Sequence, residues 1–112
     1  MRIDVDSFKN TVIKYHYLDK QIDFALTDED DIAELKSLLR GRVYKYNPSC
    51  GFSTDISITF SDGSINLTFC PARDGCSVMR INDSGNYIRI SDNQRERFNE
   101  IVKKYGMEFP CV

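Results

Sequence analysis

Residues 55–69, DISITFSDGSINLTF, decide how this chain folds. Ile56, Ile58 and Phe60 alternate with Asp55, Ser57 and Thr59, and Ile65, Leu67 and Phe69 alternate with Asn66 and Thr68. A period of two places each apolar set on one side of a strand. Asp62-Gly63 between them is a strong signal for a two-residue hairpin turn. With that turn, Phe60 faces Ile65, Ile58 faces Leu67 and Ile56 faces Phe69. Opposed residues share a face, so the pairing yields one apolar side and one polar side.

The alternation continues through Met79 and Ile81, then Ile88 and Ile90. Setting Cys70 opposite Cys76 places Leu67 opposite Met79 and Ile65 opposite Ile81. A loop at Asp83-Ser84-Gly85-Asn86 then sets Ile81 opposite Ile88 and Met79 opposite Ile90. The expected unit is an antiparallel meander of four strands. Upstream, Ile13, Tyr15 and Tyr17 alternate, as do Ile22, Phe24 and Leu26, with Asp19-Lys20 between. This reads as another hairpin, Tyr17 opposite Ile22 and Tyr15 opposite Phe24. A helix through Val5, Phe8, Val12 and Tyr15 is the competing reading of residues 1–20. Val43 to Tyr46 reads as a short strand or extended link.

Two helices flank the meander. Thr27 is the expected N-cap of the first, with acids at Asp28 to Asp31 where the helix dipole favours them. Ile32, Leu35, Leu38 and Leu39 form its stripe, and Gly41 stops it. Ser91 and Gln94 form a capping box for the second. Phe98, Ile101, Val102 and Tyr105 make its buried face, and Gly106 ends it. The sequence thus predicts a single α+β domain over 1–112, an antiparallel sheet with both helices on its apolar face.

Composition narrows the function classes. The chain has 112 residues, 41% hydrophobic and 29% charged, with a formal charge of −2. A mildly acidic chain is a poor general nucleic-acid binder. No apolar run approaches the roughly 20 residues that span a bilayer, so no membrane association is expected. The first residues hold no apolar leader, which points to a cytoplasmic protein, or an exported one if Met1 is not the natural start.

The cysteines are Cys50, Cys70, Cys76 and Cys111. In the register above Cys70 and Cys76 are opposed, at a separation that admits a disulfide. Their connecting loop, Pro71-Ala72-Arg73-Asp74-Gly75, has turn chemistry at Asp74-Gly75 and leaves Arg73 at the tip. A zinc site of Cys50, Cys70, Cys76 and Cys111 is the alternative, against which stands the lack of short ligand pairs. The fold is expected to need no cofactor and no metal. His16 is the one histidine, and nothing in the sequence sets it beside a cysteine, so no catalytic residue is assigned.

The outer sheet face carries Ser57, Thr59, Asn66, Thr68, Val78, Arg80, Tyr87 and Arg89, with Arg80 opposite Arg89. Tyr44 and Tyr46 extend it. Tyrosine and arginine are enriched at interfaces, although a solvated outer face is the ordinary condition of such a sheet. The expected function is a non-catalytic protein-binding or regulatory module, recognising another protein through Arg73, Arg80, Arg89, Tyr87, Tyr44 and Tyr46. The alternatives are a small enzyme or ligand carrier using a cysteine or His16, and a zinc-stabilised domain.

Overall fold

The computed structural model describes residues 1–45 and 50–111. The chain runs β1 (Arg2–Ile3), β2 (Asn10–Tyr17), β3 (Lys20–Ala25), α1 (Glu29–Leu38), β4 (Gly41–Arg42), β5 (Tyr44–Lys45), β6 (Ile56–Asp62), β7 (Ile65–Pro71), β8 (Val78–Ile81), β9 (Asn86–Arg89) and α2 (Asp92–Lys103). Seven strands form one sheet in the order β3-β2-β6-β7-β8-β9-β5, and β1 pairs with β4 in a second sheet of two strands. Every pairing is antiparallel. Residues 10–17 are strand, which settles the choice between helix and hairpin at the N-terminus.

The expected α+β architecture is present, with the meander extended by the N-terminal hairpin on one side and by β5 on the other. One sheet face meets both helices. Ile13, Ile58, Phe60, Phe69, Met79 and Ile88 are fully buried there against Leu35, Phe98 and Val102. The two helices are also tied directly to each other. Asp31 accepts from Lys104 Nζ at 2.6 Å and from the Tyr105 hydroxyl at 2.5 Å, and Arg97 pairs with Glu34. Asp31 therefore does more than favour the helix start. The N-cap of α1 is Asp28 rather than Thr27, its carboxylate accepting from Asp31 N at 2.9 Å. The capping box of Ser91 and Gln94 forms as expected.

Each hairpin register differs from expectation by an even number of residues. Phe60 pairs with Leu67 and Ile58 with Phe69, so the first turn is Gly63-Ser64, with Gly63 at φ +65°. Tyr15 pairs with Ile22, and the N-terminal turn is Leu18-Asp19. Met79 pairs with Ile88 and Arg80 with Tyr87, leaving Asn82 to Gly85 as the loop. Asn82 takes φ +55° and bonds sideways to β7, accepting from Thr68 N at 2.9 Å and donating its own N–H to Thr68 O at 2.7 Å. That lateral bonding fixes a loop position that no local turn rule specifies. Even shifts preserve faces, so the layers survive while the opposed pairs change.

Candidate functional site

The largest change falls on the cysteine loop. Cys70 pairs with Arg80, not with Cys76, and Pro71 is the last residue of β7, paired with Met79. The geometric ground for a Cys70–Cys76 bridge is therefore gone. Cys70 is fully buried. Its thiol lies 3.9 Å from Asn82 O and 3.8 Å from Arg80 Nη2, and burial pushes its pKa up. All four thiols are free.

What organises the loop is Arg95, a residue the sequence reading passed over. It lies on α2 three residues before Phe98 and is only 3% exposed. Its guanidinium donates to Ala72 O at 3.0 Å, Cys76 O at 2.9 Å and Asn99 Oδ1 at 2.9 Å. It also lies over the Phe109 ring at 4.6 Å. Burial lowers its pKa to about 10. An arginine on an otherwise apolar helix stripe was the available signal, because such a cation must find buried acceptors. Within the loop, Gly75 takes φ +93° and Asp74 accepts from Cys76 N at 3.1 Å, the turn chemistry expected at Asp74-Gly75.

The loop gathers a cluster of different composition from the four-cysteine set. Cys50 Sγ, Cys76 Sγ and an Asp74 carboxylate oxygen lie within 4.8 Å of one another. Cys76 is pushed up to about 12, chiefly by its hydrogen bond with Cys50 and next by Asp74. Cys70 and Cys111 stand outside this cluster. Arg73 is not a free tip. It donates to Cys111 O through Nε at 3.2 Å and Nη2 at 2.9 Å, and its guanidinium lies 5.5 Å from the Tyr17 ring centre.

The outer sheet face is only partly open. Three strands lie between β5, at one sheet edge, and β6. That is about 19 Å at about 4.8 Å per strand step, and the opposite face already holds the helices. Phe52 accordingly packs on Tyr87 at 5.2 Å between ring centres, and Arg80 lies over Phe52 at 5.9 Å. Arg73 N donates to Gly51 O at 2.8 Å, closing the crossing segment onto the cysteine loop. Tyr87 is 6% exposed and Ser57 2%. Arg80 is held by Asn82 O at 2.9 Å and Asp83 at 3.7 Å. Asp92, at the start of α2, accepts from the Ser77 hydroxyl at 2.7 Å and forms no ion pair with Arg80 among the described residues. Arg89 pairs with Val78 rather than with Arg80. Of the expected recognition residues, Tyr87 is buried, Arg73 and Arg80 are half-buried and held by the contacts above, and Tyr46 lies outside the described residues.

The open part of this face is at its β5 edge. Tyr44, 37% exposed, has the Arg42 guanidinium 5.4 Å and the Arg89 guanidinium 5.3 Å from its ring centre. Arg2 is paired directly with Arg42 across β1 and β4. Arg2, Arg42 and Arg89 are all exposed. Among the described residues neither Arg2 nor Arg42 has an ion pair. The expected opposition of Arg80 and Arg89 is absent; the two arginines that do face each other on adjacent strands are Arg2 and Arg42. The sequence reading placed no partner strand for residue 42, since β1 is too short to show a period.

His16 bonds through Nε2 to Asp23 at 2.8 Å, a diagonal contact across β2 and β3. The concavities lined by Lys103, Met107 and Phe109, by Tyr15, Tyr17 and Leu18, and by Leu26, Ile32 and Lys36 are lined by neither His16 nor a cysteine. No protein-family model, curated protein or solved structure matches the chain.

Proposed function

We propose that this domain is a non-catalytic binding module that recognises an acidic surface of another protein through Arg2, Arg42, Tyr44 and Arg89. The observation that carries the proposal is the arrangement of two exposed guanidiniums around one half-exposed tyrosine, with a third directly across the strand pair. Like charges directly opposed cost stability in the unbound state. A carboxylate bridging them replaces that repulsion with charge-assisted hydrogen bonds, and guanidinium geometry suits bidentate contact. Tyrosine supplies apolar area at small entropic cost, the combination found at interface hot spots. The patch is local, and the chain as a whole is mildly acidic, which favours an acidic protein segment over the long phosphate backbone of a nucleic acid.

The test is a titration of the full chain with a glutamate-rich peptide, followed by backbone amide NMR at low and moderate salt. Shift changes centred on Arg2, Arg42, Tyr44 and Arg89 support the proposal. No change there, or a response only to an oligonucleotide with steep salt dependence, refutes it.

A further inference from the structure

We propose that Cys50, Asp74 and Cys76 bind a single Zn²⁺ ion. The three donor atoms already lie within 4.8 Å of one another. In a tetrahedral zinc site with Zn–S near 2.3 Å, sulfurs stand about 3.8 Å apart, so closing the site takes small side-chain movements and no change of fold. Two thiolates and a carboxylate are an acceptable donor set for this borderline-soft ion. On binding, the two thiol protons pass to solvent and two Zn–S bonds and one Zn–O bond form. The fourth tetrahedral position falls to water or to an incoming ligand, as in zinc sites with three protein donors.

The surroundings are compatible with the ion. Two thiolates and one carboxylate around a divalent ion carry a net charge of −1. Arg95 sits beside them, donating to the carbonyl of Cys76 itself at 2.9 Å. It is 3% exposed, and among the described residues it has no ion pair. The Asp74 carboxylate already offsets part of this buried charge, and exchanging two thiol protons for one Zn²⁺ leaves the net charge beside Arg95 unchanged, so binding buries no further charge there. The ligands also come from two segments that meet only in the folded chain, the crossing segment before β6 and the β7–β8 loop. Metal would pin the covering of the outer sheet face to the loop that Arg95 holds. This separates the site from the Tyr44 patch, so either proposal can fail without the other.

The test uses the full chain with its thiols reduced and Co²⁺ as the spectroscopic probe, followed by displacement with Zn²⁺. The expected result is equimolar uptake with thiolate-to-cobalt charge-transfer absorption, bleached by Zn²⁺. Cys76→Ser and Cys50→Ser should each abolish it. Asp74→Asn removes the one carboxylate ligand and should weaken affinity at least as much as losing a residue that only supports a ligand, about tenfold or more. Cys70→Ser, with folding verified by circular dichroism, should leave the absorption unchanged. Because Cys76 is exposed, its replacement should keep the fold. No charge-transfer band, a band that persists in Cys76→Ser, or a Cys50–Cys76 disulfide that re-forms in place of metal uptake overturns the proposal.

Discussion

Arg95→Met should destabilise this domain by about 2–4 kcal/mol. Methionine keeps much of the length and volume but removes every donor. Two bonds to backbone carbonyls, Ala72 O and Cys76 O, are lost, and each charge-assisted bond is worth about 1.5–3 kcal/mol. Ala72 O keeps its bond from Gly75 N at 3.1 Å, so the heavier loss is at Cys76 O. Against this, the cost of keeping a guanidinium out of water disappears, which returns a part of the gross loss. For a chain of 112 residues the melting temperature falls by roughly 4 °C per kcal/mol, giving a drop of about 8–16 °C. Calorimetry or thermal circular dichroism measures it directly. Arg95→Lys should fall between the two, because one ammonium cannot span both carbonyls as a planar fork does. Amide exchange in the 72–76 loop should quicken in both variants. An unchanged or raised melting temperature for Arg95→Met would show that burying the cation costs more than its bonds return, and that the loop is held by something else.

Two further outcomes test the layers and the helix contact. Ile58→Ala, at a fully buried position, should cost about 2–5 kcal/mol; Thr59→Ala, on the other face and bonded to the Thr68 hydroxyl, should cost about 1 kcal/mol in urea denaturation, and equal losses would contradict the layer assignment. The hydrogen bonds from Lys104 and then Tyr105 hold the Asp31 carboxyl below its ordinary value. Its contribution is therefore complete above pH about 4 and is lost as pH falls through the lowered folded value. The stability gap between the wild type and Asp31→Asn should narrow over that acid range, and a gap independent of pH would refute the contact's role.

The sequence carried faces better than registers. Period-two alternation says which residues point together, and Ile56, Ile58, Phe60 and Phe69 are all buried as that pattern requires. It does not say where a turn closes, and every hairpin closed one or two residues from the expected place, which shifts the opposed pairs by two or four. Turn residues were ambiguous at Asp62-Gly63-Ser64, where glycine suits either of two positions. At Asn82 the deciding bonds come from Thr68 on β7, far away in sequence. The functional surface suffered most, because opposition between particular side chains depends on register. Cys70 lost Cys76 as a partner, and Arg80 lost Arg89. The crossing segment with Phe52 could not be foreseen either, since its path follows from the position of β5 at the sheet edge. Arg95 and Arg42 were legible only in part. The first broke an apolar helix stripe, while the second became notable only once β1 had placed Arg2 across from it.

The most direct test of the recognition surface is the affinity of the Arg42→Glu/Arg89→Glu double variant for a glutamate-rich peptide, measured by calorimetry beside its melting temperature. Reversing both charges removes the carboxylate site and replaces the Arg2–Arg42 repulsion with attraction. The predicted result is loss of peptide binding in a protein at least as thermally stable as the wild type. Undiminished binding by a folded variant would contradict the account.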